Sequence, residues 1–474
     1  MTGIRNYHRL VQSVLGTSGL AASLALGACM DLTNVPNYDN ESLDGLVNDP
    51  TPARIATAAQ GVQVATRASL VGVFGFIADM SFKGREGYTL DPATPGLVPE
   101  NLVGPLDPAL RSFWAEGYRA IKLGNIILTA LDKVTGLTDP EKEATRGFVK
   151  TLQAHAFTQI ILAHDQSGAV IAVDQDPSLG NTASIADRTA VYAHISQLLD
   201  QANSHLTSAG SPGRFPFTLS PGYAGFTTPS TFRQFNRALK ARVEVYRASL
   251  EKNLTYYNSA LTALTQSFIS TTQPLTLGVY HSYSTNSGDE SNTSFDPTGR
   301  AILGHPSFET DAQLRADGTK DLRFTTKTFK RATPNTQSGV TSDIGLRVYP
   351  SNAAPVPIIR NEDLILLRAE ANLAVGNRAA ALQDINFVRT TSGGLANIPD
   401  PGDPGLMDEL IYNRRYSLFQ EGGHRWFDMR RWGRLAQLPR DLPSHRIFSR
   451  LPLPLAECNA RSPAPPGCDR DNGI

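Results

Sequence analysis

The residue types that do chemistry are present in this chain, but their spacing completes no catalytic constellation. Asp174-Gln175-Asp176-Pro177-Ser178 begins with the acid spacing of a calcium loop, yet its glycine arrives one position late, at Gly180, and Ile185 stands where the closing glutamate belongs. Asp289-Glu290 is a carboxylate pair, but sequence neighbours point in different directions and fix no separation for glycoside hydrolysis. No Gly-x-Ser-x-Gly elbow, phosphate loop, dinucleotide fingerprint or His-Glu-x-x-His occurs. The reading is therefore a protein with no catalytic residue, no cofactor and no metal site.

What the loops do offer is aromatic rings beside amides, carboxylates and cations. One stretch carries Phe82, Lys83, Arg85, Glu86 and Tyr88; another carries Tyr280, His281, Tyr283, Asn286, Asp289 and Asn292. A flat ring for a sugar face, with polar partners for its hydroxyls, is what carbohydrate binding asks of a concave site. Phe82, Tyr88, Tyr280, His281, Tyr283 and Asn286 are the candidate ligand contacts.

Helices must hold these loops in place. Apolar residues recur at helical spacing in Pro52 to Val71, Arg111 to Val134, Glu141 to Ala163, Ala190 to Leu206, Phe232 to Leu250 and Asn258 to Phe268. Asn361 reads as an N-cap for a helix through Leu364, Leu367, Ala371 and Ala374; Gly376 stops it, and Asn377 opens a second helix that runs to Gly393-Gly394. Between the helices, Phe76 to Asp107, Gly210 to Pro229 and Gln273 to Pro357 read as long irregular stretches, which are uncommon in compact chains and tend to be functional. Short β-like runs occur at Gly345 to Tyr349 and Pro357 to Arg360. The fold class expected is mostly α, a tetratricopeptide-like array of helix pairs with long irregular loops and a few short β-strands.

The hairpin carries Ala369-Glu370-Ala371, Gly376-Asn377 and Ile385-Asn386-Phe387-Val388-Arg389, and beyond it stands Arg425-Trp426-Phe427-Asp428-Met429-Arg430-Arg431-Trp432-Gly433. These segments resemble the C-terminal signature of the SusD/RagB family, surface lipoproteins of nutrient-uptake systems. Trp114, Tyr118, Ile121 and Asn125 resemble a further family pattern, which reads Trp114 as helix packing. The chain departs from the family in the extra glycine of Glu421-Gly422-Gly423-His424-Arg425, and in Asn413 and Ser417 where glutamates are common, so that some Glu–Arg pairs along that helix are expected to be missing. The resemblance implies capture of a glycan or other nutrient and its delivery to a TonB-dependent, SusC-like outer-membrane barrel. Its ligand contacts belong to no motif and transfer to no residue here.

The N-terminus agrees with such a compartment. Arg5, His8 and Arg9 precede an uncharged, mostly apolar run, Leu10 to Ala28, that ends in Leu26-Gly27-Ala28-Cys29. This looks like a lipoprotein signal, with residues 1–28 removed and Cys29 lipidated, leaving 29–474 as one domain anchored in the outer membrane and facing outward. Cys458 and Cys468 flank a Pro-rich loop and are expected to form a local disulfide in that oxidising setting. With 44 basic and 44 acidic residues, the balanced charge argues against nucleic acid as a partner. Two other readings stay open: an envelope interaction scaffold built on the helical array, and a lipoprotein glycosidase.

Overall fold

The computed structural model describes residues 43–107, 112–174 and 182–474. The chain divides after Asp49. Of its first unit the described part is the short helix Leu43–Asn48, and the expected export segment and Cys29 lie outside the described residues. So does most of the acidic stretch that begins at Asp174.

The second unit, Pro50–Ile474, is built on helices that pack in chain order. Pro52–Ala65 lies on Phe113–Leu131, which lies on Asp139–His164; Arg188–Ser208, Pro229–Glu251, Leu254–Thr265, Asn361–Ala374 and Arg378–Thr391 continue the series. Local chemistry sets the starts. Thr138 and Glu141 form a reciprocal capping box, as do Thr228 and Thr231, and Asp187 accepts from the Ala190 N–H. The apolar faces meet in a continuous interior in which Phe148, Phe215, Phe232, Tyr223 and Phe235 pack edge to face or stacked.

Asn361 does not cap its helix. The chain is still extended at Arg360, Asn361 is already the first helical residue, and its side-chain amide is turned onto the neighbouring loop. There it accepts from the Ser270 N–H at 2.9 Å and donates to the Ser270 carbonyl at 2.7 Å. Gly376 does end the helix, at φ +85°, a left-handed conformation that glycine adopts without strain.

The stretch from Phe76 to Asp107 is more regular than its composition suggests. It holds a helix at Phe76–Lys83, a strand β1 at Gly87–Tyr88 and a helix at Leu97–Leu102. Strand β1 opens a small antiparallel sheet in the order β1-β3-β5-β4, with β3 at Leu303–Gly304, β4 at Thr328–Gln337 and β5 at Val340–Leu346. A separate antiparallel pair joins β2, Gly278–His281, to β6, Val356–Arg360. Because β6 runs straight into the Asn361–Ala374 helix, the aromatic strand β2 is tied to the signature hairpin.

The signature residues form a buried electrostatic seam. Asp363 accepts from Arg242 Nη2 at 2.7 Å and from Arg414 Nη1 at 3.0 Å; Asp428 accepts from Arg414 Nε at 2.7 Å and Arg431 Nε at 2.9 Å; Glu370 accepts from Arg431 Nη2 at 2.6 Å. Burial alone would push the Glu362 carboxyl up, but Arg360 and Lys327 outweigh it and hold the group at about 2. Where the family commonly has glutamates, Asn413 and Ser417 accept from Arg323 at 2.9 and 3.0 Å, and Asp321 supplies that arginine's countercharge. The extra glycine is required by its surroundings: Gly423 has φ +71°, and a Cβ there would lie 2.0 Å from that of Met80.

Candidate functional site

Two of the irregular stretches, Gly210 to Pro229 and Gln273 to Pro357, converge on four adjoining cavities. The first, about 280 Å³, lies between Gln63 and Arg67 at the end of the Pro52–Ala65 helix, the 218–221 turn, and His281, Ser282 and Asp289. Ser282 also borders the second, about 420 Å³, where Tyr280 and Tyr283 face Gly222 and Pro355. Tyr280 in turn borders the third, about 580 Å³, with Thr326, Lys327, Tyr349 and Glu421 on its walls. Thr326 and Tyr349 are shared with the fourth, about 450 Å³, which Phe295, Phe329, Asp296 and Arg347 complete. Each volume falls near or within the range of ordinary small-ligand sites, and together they make an extended track.

Backbone contacts fix this arrangement. A Cβ on Gly222 would lie 1.9 Å from the Tyr280 carbonyl oxygen, so only glycine lets the 221–223 turn approach β2, and the Gly222 N–H donates to Ser282 Oγ at 2.7 Å. The β2–β6 register shifts between Val279 and Tyr280. Such a bulge re-aims side chains, and Tyr280 is the ring that reaches the boundary of two cavities. Its hydroxyl donates to the Thr276 carbonyl.

Of the six candidate contacts, the structure brings three to the cavities. Tyr280, His281 and Tyr283 line them; Asn286 is exposed and outside their walls, its carbonyl closing a turn with the Asp289 N–H. Phe82 and Tyr88 drop out. Each is 2 % exposed: Phe82 packs on Ala78 and Ile302, while Tyr88 lies against the His305 ring and donates its hydroxyl to Asp441. Their neighbours are structural too, since Lys83 is bonded to Asp79 and Asn101, and Arg85 to three backbone carbonyls. An aromatic loop composition could not separate these rings from the others, because it says nothing of the core of β1.

His281 is buried, and burial, with His155 and Arg67 adding to it, pushes its imidazole well below the usual range. It meets the first cavity as a neutral ring, with His155 behind it at 5.5 Å between centroids. Arg67 is matched by Asp289 and by the Ser282 carbonyl, and it lies 5.4 Å over the Tyr283 ring. Asp289 is thus an ion-pair and loop-closing residue that also accepts from Ser284 Oγ at 2.8 Å. Phe295, Phe329 and Arg347 were missed as site residues; all three lie in the long Gln273 to Pro357 stretch, but no local spacing marks them. Among the described residues no cluster suited to a metal ion occurs, and no helix is long and apolar enough to cross a membrane. Trp114 packs on Tyr118 and His164, and the arginines near Asp428 are engaged: Arg431 with Glu370 and Asp428, Arg430 with the Ser449 and Leu162 carbonyls, Arg434 with Asp408.

An array of helix pairs with inserted loops and two small sheets is the SusD-like fold, and solved structures share it at low sequence identity. A SusD superfamily protein from Parabacteroides distasonis matches with a TM-score of 0.64 at 15% identity, covering 86% of this chain and 97% of that one. A surface glycan-binding protein A from Bacteroides uniformis gives 0.62 at 16%, covering 82% and 89%. A laminarin-binding SusD-like protein gives 0.58 at 17%, covering 88% and 99%. No functionally curated protein matches by sequence. Residues 349–450, the segment from Tyr349 through the hairpin and the Arg-Trp-Phe-Asp run, match the model of the SusD family.

Proposed function

We propose that this protein captures a glycan at the cell surface and delivers it to a TonB-dependent, SusC-like barrel, without covalent chemistry of its own. The observation that carries the reading is the track of four cavities, bordered by the rings of Tyr280, Tyr283, Phe295 and Phe329 and by polar and charged side chains. Partly covered rings beside hydrogen-bonding groups suit the apolar faces and hydroxyls of successive sugars. Two proteins with this fold, one glycan-binding and one laminarin-binding, agree with that use.

Attachment follows from Cys29, which the Leu-Gly-Ala-Cys sequence makes the lipidated first residue of the mature chain. Three acyl chains hold a protein at a membrane far beyond the reversible range of one, and tethering raises the local concentration of this protein over a barrel partner. The surface of the helical array would meet the barrel, leaving the cavities for ligand.

Calorimetric titration of the intact protein against neutral and acidic oligosaccharides tests the binding reading. A bound glycan is expected, and Tyr280→Ala should weaken it by about 1–3 kcal/mol, as removal of a well-packed aromatic anchor does. Absence of binding across the panel, with a large barrel protein still co-purifying after mild solubilisation, would instead favour an interaction scaffold.

A further inference from the structure

The fourth cavity differs from its neighbours in charge. In the others the cations that line the walls have carboxylate partners: Arg67 with Asp289, Arg323 with Asp321, Lys327 and Arg360 with Glu421. Arg347 has none among the described residues. It is exposed, its backbone N–H is fixed to the Lys327 carbonyl at 2.8 Å, and its guanidinium lies 5.1 Å from the centre of the half-buried Phe329 ring. We propose that this cavity takes a sugar ring carrying an anionic group, a carboxylate or a sulfate, and so that the ligand is an acidic glycan. The proposal rests on the glycan-binding reading and names its ligand class.

The carboxylate in the cavity wall does not compete. Asp296 has both oxygens filled by its own loop: Oδ1 accepts from the Thr298 N–H at 2.9 Å and hydroxyl at 2.6 Å, and Oδ2 from the N–H groups of Arg300 and Ala301 at 2.6 and 2.7 Å. Burial would raise its pKa, but these donors outweigh that and keep it ionised, as the anchor of the 296–301 turn. The turn also holds a second arginine, Arg331, which is not among the residues lining the cavity. At Gly299 a Cβ would lie 3.0 Å from Phe329 Cζ and 3.4 Å from Arg331 Cδ, so the Arg331 stem runs beside the same ring. Arg331 Nε donates to the Thr298 carbonyl at 3.3 Å, while its Nη1 is buried without a partner.

The Arg347 guanidinium beside the Phe329 ring, with the adjacent carboxylate saturated, leaves local positive charge unmatched. A planar guanidinium suits carboxylate and sulfate oxygens better than it suits hydroxyls, and charge-assisted bonds are about twice as strong as neutral ones. Phe295 and Phe329 supply apolar faces for the ring that bears the anion. A neutral glycan would leave Arg347 without an anionic counterpart.

The test is calorimetric titration of the full chain with matched pairs of oligosaccharides: oligogalacturonate against its methyl ester, sialyllactose against lactose, and chondroitin sulfate against desulfated chondroitin oligomers, with neutral laminarin and xylan fragments alongside. An acidic member should bind more tightly than its uncharged or less charged counterpart, and its affinity should fall as sodium chloride is raised. Arg347→Gln, at an exposed position, should leave the melting temperature unchanged and lower that affinity about ten- to hundredfold. The pair that responds separates a carboxylate from a sulfate. Binding confined to neutral members, or a charge preference that survives Arg347→Gln, would overturn the proposal and leave the glycan reading intact. Binding to no member would remove the glycan reading and this proposal together.

Discussion

At the scale of single residues, His424 shows how the interior treats an ionisable group. It lies beside the Asp363–Arg414–Asp428 seam, where burial lowers its pKa to about 4 even though Asp363 favours the charged form. His155 is lowered further, to about 3, by burial and then by Arg242, and His281 lies well below its ordinary value. In each case the unfolded chain binds a proton that the folded chain refuses. Their stabilising contribution is therefore complete above about pH 6.5 and is lost as pH falls toward the folded values. Glu86 acts in the opposite sense, because burial raises its carboxyl to about 7 against the pull of Arg425. His194, His305 and His445 are lowered by burial too, and only Asp384 joins Glu86 among the raised carboxyls, so the melting temperature should drop steadily from pH 6.5 to 4.5. Glu86→Gln should not reverse that trend. A melting temperature that rises over this interval would contradict the account.

Residue scale is also where the sequence was least legible. Phe82 and Tyr280 have the same kind of neighbours in the chain, yet one ring is closed off against Ala78 and Ile302 and the other reaches two cavities. The difference is made by the packing of the Phe76–Lys83 helix on Ile302 and by the bulge at Tyr280, both of which depend on partners far away in sequence. Asn361 misled for a related reason. An asparagine before an amphipathic run is a good cap on local grounds, but this one spends its amide on the 270–274 loop.

Among elements, the C-terminal tail carries a covalent test. Cys458 and Cys468 are joined, with Cα atoms 5.8 Å apart, and the enclosed segment meets the turn that follows the Asp139–His164 helix at Ser167. Leu451 N–H donates to the Ala163 carbonyl at 2.9 Å, Leu453 N–H to the Gly467 carbonyl at 2.8 Å, and Gly467 sits against Ser167. Closing a loop ten residues apart in sequence is worth about 2–3 kcal/mol to the order of this segment. Replacing both cysteines by serine should speed hydrogen exchange in residues 451–474 and leave the array helices protected. Faster exchange through Arg188–Ser208 and Pro229–Glu251 would show that the tail holds the array together, against expectation. The long helices were readable because each carries its own period and stop signals; their observed ends lie close to the expected ones, except that the first stops at Ala65 and not at Val71. The small sheet was not, since β1 and β3 are two residues each and acquire meaning only through pairing.

For the whole molecule, the division of labour between array and loops is the main result. Helices packed in chain order supply the frame, and the buried seam around Asp363, Glu370 and Asp428 fastens the signature hairpin to it through Arg242. The hairpin then holds β6, β6 holds β2, and β2 holds the ring shared by two cavities. The family signature was legible because these residues are local in sequence. The cavities were not, because their walls come from segments as distant as Gln63 and Asp289, or Phe295 and Arg347. The most direct measurement is a crystal structure of the mature protein with a bound oligosaccharide from the titration panel. Density for successive sugar rings along the track from Phe329 to Tyr280, with one ring on Phe295 or Phe329, is the predicted result. Sugar density on the helical array, with the four cavities empty, would contradict the account.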